Sequence, residues 1–408
     1  MLVLAQFAGT SLWFAGNAVL ADLQAQSGLA ASAVSLITSS VQLGFIAGTL
    51  VFALLALADR VPGNWLFSAS AMLGAGCNAA VVALDGQLPA LLALRFAVGF
   101  FLAGVYPVGM KLAASWYQPT GAAVDGRGDR LGRAMAFLVG ALVLGTAFPH
   151  LVRAAGSSLP WRTVLLLVSL VACAGAVALL LLVPEGGRLP AAGARRGAAQ
   201  GGGLRLDPRS LLAVFRVPAF CRSAFGYFGH MWELYAMWAF VPVIVAGYLP
   251  SGEGGSVSGW AFAIIAAGAF GCAAGGVVAP RVGSARVAVL QLAVSGLCCA
   301  LLPLIFGAPP WLFFGFLLLW GVAVVGDSPQ YSALNAAAAP PAQVGSALTL
   351  VVSLGFGLTI GSIELLGALS TTLAPRFLGL PLLVGPLLGL LAMRPLVARR
   401  PMPGLADA

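Results

Sequence analysis

Long apolar stretches alternate with short polar ones along the whole chain. Twelve of the apolar stretches reach the roughly 20 residues that a helix needs to cross a lipid bilayer. They predict membrane-spanning helices at residues 2–21, 34–58, 64–83, 88–114, 131–153, 161–183, 219–246, 258–280, 285–306, 311–336, 343–370 and 373–393. The first stretch lacks the basic leading region and the cleavage site of a signal peptide, so we interpret it as a helix. The pattern therefore predicts an all-α membrane protein.

The longest polar connection, residues 184–218, is rich in Gly, Ala and Arg and shows no apolar period. Such a composition predicts a flexible linker. It would divide the chain into an N-terminal six-helix bundle (1–183) and a C-terminal six-helix bundle with a short tail (219–408). A short amphipathic stretch from Leu204 to Phe215 is expected to lie on the membrane surface.

The two halves share a sequence string. GFFLAGVYP at 99–107 and GVAVVGDSP at 321–329 carry Gly, Gly and Pro at the same relative positions, 222 residues apart. Both strings lie inside long apolar stretches. Duplicated sets of membrane spans are typical of secondary transporters, whose substrate site lies between the two repeats. We therefore expect two six-helix pseudo-repeats around a central cavity.

Composition and charge support a membrane protein. The chain is 60% hydrophobic and 8% charged, with a mean hydropathy of +1.00, whereas soluble domains carry about 25% charged residues. The net charge of +9 does not indicate a nucleic-acid partner, because the charges fall in short segments between apolar stretches and form no continuous basic face.

The basic residues also predict an orientation. Every Lys and Arg falls on the side of both termini, apart from Arg95 inside a span and Arg153, Arg162 and Arg376 on the opposite side. Basic residues concentrate in cytoplasmic loops, so both termini are expected in the cytoplasm. Usage rich in Ala, Gly and Arg, together with the lack of eukaryotic targeting signals, favours a bacterial inner membrane.

Several short motifs resemble those of the major facilitator superfamily of secondary transporters. That family carries a Gly-x-x-x-Asp-Arg-x-Gly pattern after helix 2, which Asp59 and Arg60 match, although Leu55 stands in place of the first Gly. Gly276 and Arg281 resemble the corresponding pattern after helix 8, and Arg95 with Gly99 resembles the family's Arg-x-x-x-Gly pattern in helix 4. The resemblance covers essentially the whole chain.

The resemblance implies alternating access, in which the two halves rock around one cavity. It also implies that Asp59, Arg60 and Arg281 form a cytoplasmic latch, in which an acid at a helix end accepts hydrogen bonds from a neighbouring helix N-terminus. The alternative is that these residues are simple loop charges that fix orientation.

Charged residues inside spans are costly, about 2.5–3.5 kcal/mol each, so each one is a candidate for function. Helix 7 is the richest in such groups. His230, Glu233 and Met237 share one helical face, and Tyr227 lies on that face one turn earlier. An acid beside an imidazole can exchange protons, but the same pair could simply fasten helix 7 to a neighbour.

Further candidates lie on other helices. Asp327 lies two residues before Pro329, and a proline opens a helix locally. Tyr331 follows Pro329. In the repeat, Asp327 corresponds to Val105. Arg95 either anchors a substrate anion or donates to backbone carbonyls of its own half. The remaining candidates are Glu364 in helix 11, Asn17 in helix 1 and Trp232 in helix 7.

These patterns predict a secondary transporter for a small solute, coupled to protons because an acid in a partly dry cavity can hold a proton near neutral pH. Glu233 and Asp327 are the first candidates for that proton. We expect a monomer in the lipid bilayer with no cofactor and no enzymatic activity, because no catalytic His or Cys arrangement is visible.

Two alternatives stay open: a uniporter, and a transporter of a copper-like transition metal that uses His230, Glu233 and Met237. The sequence does not choose between an organic anion, a cation and an amphipathic solute, nor between import and export.

Overall fold

The computed structural model describes residues 1–30, 32–84, 87–116, 127–156, 159–183, 213–250, 254–340 and 343–398, and this part of the chain contains helices and no strand. The predicted linker at 184–218 and the amphipathic stretch at 204–215 lie mostly outside these residues. The described remainder includes a 3₁₀ turn at Val214–Arg216 and the start of the next helix.

Six spanning elements precede the linker. The first, α1, consists of three short helices. The bounds are α1 Leu2–Thr10, Ala15–Ala18 and Leu20–Ser27; α2 Ala33–Leu54; α3 Gly63–Ala80; α4 Leu88–Leu102 and Tyr106–Trp116; α5 Arg127–Ala155; and α6 Trp161–Leu182.

Six more elements follow the linker. Their bounds are α7 Pro218–Tyr248; α8 Gly254–Val282; α9 Ser284–Ile305; α10 Pro310–Gly326 and Ser328–Ala338; α11 Val344–Leu369; and α12, which begins with 3₁₀ turns at Pro375–Phe377 and Leu380–Leu383 and continues as Val384–Ala398.

Eleven elements, α2 to α12, are long and apolar enough to cross a membrane. The first predicted span, 2–21, is not the continuous helix that its apolar sequence predicts: it is interrupted at residues 11–14 and again at Val19. Thr10 and Ser11 donate their hydroxyl groups to the carbonyls of Gln6 and Ala8, at 2.8 and 2.6 Å. Such side-chain bonds compete with the helical ladder and bend helices.

The repeated string marks a break in both halves. In α4 the helix is interrupted at residues 103–105, just before Pro107. In α10 it is interrupted at Asp327, just before Pro329. A proline cannot donate to the carbonyl one turn earlier, so a helix opens at that point, as the sequence predicts.

The halves join along two helix pairs. In one pair, α5 lies against α8, where small residues allow close approach: a Cβ on Gly276 would lie 2.5 Å from the Ala136 side chain. In the other pair, α2 lies against α11, and a Cβ on Gly367 would lie 2.6 Å from the Ser35 Cβ. Small residues at helix contacts are typical of membrane bundles.

Candidate functional site

The centre of the C-terminal half contains three buried ionisable groups, which we call the acid–histidine cluster: His230 and Glu233 of α7 and Asp327 of α10. The His230 Nδ1 atom lies 2.8 Å from Asp327 Oδ1, and both side chains are about 1% exposed. Asp327 occupies the break of α10. The sequence pairs His230 with Glu233 on one face of α7, whereas the structure places His230 against Asp327 and so joins two helices of the same half.

Glu233 faces the helices on the other side of the same half. Its Oε1 atom accepts hydrogen bonds from the Ser295 hydroxyl of α9 and from the Trp320 indole N–H of α10, the latter at 3.4 Å. Its Oε2 atom is buried and has no hydrogen-bond partner among the described residues. The carboxyl groups of Glu233 and Asp327 are close enough to interact electrostatically.

Two tyrosines cover the imidazole. The ring centroids of Tyr227 and Tyr331 lie 6.0 and 5.7 Å from that of His230. The Tyr331 hydroxyl and the His230 Nε2 atom are buried without a hydrogen-bond partner in the described part of the chain. The acid–histidine cluster and its two tyrosines thus bring together five of the predicted candidates. They hold several polar atoms that could bind a proton or a ligand.

Arg95 lies in the other half, fully buried. Its Nη2 atom donates to the carbonyls of Leu12 and Trp13, at 2.9 and 2.7 Å, and its Nη1 atom donates to Asn78 at 2.9 Å. The two carbonyls belong to the break in α1. Arg95 therefore makes the backbone contacts that its structural interpretation describes, and a guanidinium with planar donors suits this task.

Six buried aromatic rings fill the joint between the halves, and we call them the ring cluster. Trp13 stacks on Tyr235 and Phe356 at centroid distances of 5.6 and 5.8 Å. The members from α1 and α2 are Trp13, Phe14 and Phe45, and those from α7 and α11 are Tyr235, Trp238 and Phe356.

The predicted central cavity is closed in this conformation. The three members of the acid–histidine cluster are buried, and the ring cluster occupies the joint. The two best-formed grooves among the described residues lie at the periphery, one along α9 and α12 and one beside Met1, Trp116 and Phe137. The closure reflects the size of the aromatic side chains, which reach across the joint.

The remaining candidates lie apart from the cluster. Asn17 donates to the Thr38 hydroxyl at 2.7 Å, and Ser35 donates to Glu364 at 2.9 Å across the joint of α2 and α11. Trp232 points to α12, where its indole donates to the Pro381 carbonyl at 3.1 Å. Met237 is fully buried in the core.

The predicted latch has a different partner from the expected one. Asp59 pairs with Lys111 of α4, and both side chains are largely exposed. Lys111 also donates to the Ala58 carbonyl at 2.5 Å. No ion pair to Arg60 or Arg281 appears among the described residues. The acid meets a lysine because α4 ends beside the loop between α2 and α3.

A metal site has little support from the geometry. The described residues contain no group of three or more His, Cys, Asp or Glu side chains placed to hold a metal ion. His230 turns its Nδ1 atom to Asp327, and Glu233 turns its Oε1 atom to Ser295 and Trp320. The alternative set of His230, Glu233 and Met237 includes a methionine sulfur, so this absence does not exclude it, and the set stays a prediction.

Several important contacts involve residues that the sequence did not single out. Asn78, Ser295 and Ser35 are isolated polar residues in apolar spans, and that isolation is the one signal that marks them. In the sequence, Lys111 is only one of the many basic residues on the side of both termini.

Two related sets of six spanning elements, joined around buried polar groups, define a membrane transporter. The sequence pattern of the Major Facilitator Superfamily matches residues 2–362, and the chain belongs to that superfamily. No curated protein sequence matches the chain.

Solved structures show the same fold. One is a D-xylose–proton symporter, with 15% identity, a TM-score of 0.72 and coverage of 98% of this chain and 97% of that one. Another is the xylose transporter XylE from E. coli in a partially occluded inward-open conformation, with 14% identity, a TM-score of 0.71 and coverage of 98% and 99%. At this identity the likeness concerns the fold alone.

Proposed function

We propose that the chain is a proton-coupled secondary transporter that moves a small solute across a bacterial inner membrane as a monomer. Both termini face the cytoplasm, and the halves at 1–183 and 219–408 rock against each other about the linker at 184–218. The proton is carried by the acid–histidine cluster, with Glu233 as the primary carrier.

The unpartnered Oε2 atom of Glu233 is the observation that supports this proposal. An ionised carboxylate in a dry interior is strongly disfavoured unless hydrogen bonds or opposite charges surround it. Glu233 receives two neutral donors on Oε1 and none on Oε2 among the described residues. A proton on Oε2 would remove the charge, and its loss would place a second negative charge near Asp327.

The placement of Asp327 connects protonation to movement. It stands at the break of α10, between Pro310–Gly326 and Ser328–Ala338, and its carboxyl group lies against His230 of α7. A change of charge in the cluster alters the attraction between these two helices at a point where α10 can bend. Proton binding thereby biases the balance between two states of the C-terminal half.

The decisive experiment replaces Glu233 with Gln in proteoliposomes. A solute is first found by thermal-shift screening of the purified protein against metabolites, metals and drugs, and its uptake is then driven by an imposed pH gradient. We expect Glu233→Gln to bind the solute but to lose the response to the gradient. Asp22→Asn is the matched control, because it removes a carboxylate that pairs with Arg153 away from the centre. Full gradient-driven uptake by Glu233→Gln would remove Glu233 from the mechanism.

An infrared measurement tests the same carboxyl group without a solute. The C=O stretch of a protonated carboxylic acid lies at a higher frequency than the bands of an amide or a carboxylate. We expect such a band in the unmodified protein and in Asp22→Asn, and its loss in Glu233→Gln.

A further inference from the structure

The ring cluster lies where a solute has to pass. Its members come from both halves, and Phe45 of α2 and Phe356 of α11 are 4.4 Å apart at their centroids. Phe14 and Trp238 meet edge to face at 6.2 Å. When two halves rock apart along their joint, these rings are the surfaces that separate. A solute between them would lie against flat aromatic faces, which favour a flat apolar body.

The buried ionisable groups near the joint have their described hydrogen-bond partners within their own halves, although Arg95 Nε and Glu233 Oε2 are buried without a partner among the described residues. Arg95 uses both Nη atoms on acceptors of α1 and α3. The Asp327 carboxyl group lies against His230. The Glu233 carboxyl group accepts hydrogen bonds from Ser295 and Trp320. None of these contacts crosses to the other half.

Glu364 is the exception, because it accepts from Ser35 across the joint. It lies about two helical turns along α11 from Phe356, and its Oε2 atom is already bonded. None of the six rings carries a charge, so a charged solute between them would leave water without a counter-charge from the rings themselves.

Neutral hydrogen-bonding atoms are left without partners beside the rings. The indole Nε1 atoms of Trp13 and Trp238 are buried and make no hydrogen bond to a described residue, and the same holds for both amide atoms of Gln42. Gln42 lies one turn before Phe45 on the same face of α2. An indole N–H can only donate, so a ligand that satisfies both tryptophans has to supply acceptors.

We propose that the transported solute is uncharged, with a flat apolar body and an oxygen acceptor for the indole N–H groups, and that it binds between the rings of the two halves. This inference rests on the proposal that the chain transports a small solute, and it does not depend on proton coupling. It assigns Trp13, Trp238 and Gln42 as the groups that recognise the solute.

Three probes with the same ring and different charge test the assignment: 2-naphthamide (neutral), 2-naphthoate (anion) and 2-(aminomethyl)naphthalene (cation). Each is added at the same millimolar concentration to the purified protein, and the thermal midpoint is measured, because a ligand of the folded state raises that midpoint. We expect the neutral amide to give the largest rise. A larger rise with the anion or the cation, or no rise with any probe, overturns the proposal.

Single-residue variants then locate the site at which the amide binds. Trp13→Phe and Trp238→Phe keep a ring but remove the N–H donor, so each should weaken amide binding by about 3- to 10-fold, the effect of one lost neutral hydrogen bond. Trp311→Phe is the matched control, because Trp311 is 75% exposed on the outer surface. Unchanged binding in both ring-cluster variants overturns the assignment. The midpoints without probe show whether each variant folds.

The two proposals fail separately. If the amide binds as expected while Glu233→Gln retains full gradient-driven uptake, the proton assignment is wrong and the solute assignment stands. If Glu233→Gln loses the gradient response while a charged probe binds best, the reverse holds.

Discussion

At the scale of single residues, one buried cation stabilises a broken helix. Breaking α1 inside a membrane frees carbonyl groups that have no water to bind, and each such group costs several kcal/mol if it stays unpaired. Arg95 donates hydrogen bonds to two of these carbonyl groups, those of Leu12 and Trp13. Asn78 accepts a third bond, which fixes the orientation of the guanidinium. Asn78 in turn donates to Ser169 at 3.0 Å. The break in α1 is thereby tied to α3, α4 and α6.

Replacing Arg95 with Gln should reduce the free energy of unfolding by about 2–4 kcal/mol, because buried hydrogen bonds from a charged donor are lost. Arg95→Lys should recover part of the loss, since a lysine donates without the planar geometry of the guanidinium. The measurement is thermal unfolding in detergent, with the exposed Arg286→Gln as control. Equal stability of Arg95→Gln and the unmodified protein would show that these carbonyls have other partners.

The sequence identifies the candidate residues better than their partners. Helical spacing places His230 and Glu233 close together on α7, and the cost of charge in a span marks Asp327 and Arg95. The partners of Glu233, Ser295 and Trp320, lie on two other helices. Which helix faces which residue depends on packing between distant parts of the chain, and periodicity within one helix carries no information about it.

At the scale of elements, the repeat preserves two helix crossings. Where α2 crosses α4, a Cβ on Gly99 would lie 2.0 Å from the Val41 carbonyl oxygen. Where α8 crosses α10, a Cβ on Gly321 would lie 1.9 Å from the Ile264 carbonyl oxygen. The obstacle is backbone in both cases, so the helices cannot yield by a rotamer change. The first Gly of the repeated string is therefore required by close helix contact.

Gly99→Ala and Gly321→Ala should each reduce the free energy of unfolding by about 2 kcal/mol or more, because the helices must move apart. Gly76→Ala in α3 and Gly315→Ala in α10 are the matched controls, since an added Cβ at either position meets nothing within 4 Å. Size-exclusion yield and thermal midpoint in detergent report the difference. If all four variants behave alike, close packing is not the reason for the repeated glycine.

Most elements could be predicted from apolar length, and the break of α1 could not. Mean hydropathy is an average over many residues, so it carries no information about single hydrogen bonds. It does not show that the Thr10 and Ser11 hydroxyl groups bond to the preceding turn, or that Arg95 lies beside the break. The breaks in α4 and α10 lie beside Pro107 and Pro329, but proline alone does not locate a break, because Pro149 and Pro242 lie inside continuous helices.

At the scale of the whole molecule, the two joints between the halves differ in chemistry. The α5–α8 joint consists of small residues, such as Gly140 against Ala269. The α2–α11 joint contains the ring pair Phe45–Phe356 and the bond from Ser35 to Glu364. The second joint carries larger side chains and a polar contact.

Linking Ser35→Cys to Glu364→Cys with a short, reducible bis-thiosulfonate reagent should abolish uptake of a screened solute, because the α2–α11 joint can no longer open. Reduction should restore uptake. The six native cysteines are free, and Cys77, Cys173 and Cys221 are partly exposed, so these three are first replaced by Ser. Single-cysteine variants serve as controls. Full uptake by the linked protein would show that this joint stays closed during transport.

The overall architecture followed from the sequence because membrane length, duplication and motifs all indicate the same fold. The closed centre did not follow, because the state of a transporter with two arrangements of similar energy is not encoded in any one segment. Trp13 and Tyr235 meet only after both halves are in place.

The position of Arg95 in the repeat corresponds to Leu317, 222 residues later, and the position of Asp327 corresponds to Val105. The buried guanidinium thus lies in the first half, and the acid–histidine cluster lies in the second. A symmetric ancestor built from two copies of the later half would have carried two acid–histidine clusters and lacked the arginine that secures the broken first helix. Each half therefore carries a buried charge that the other half lacks at the equivalent position of the repeat.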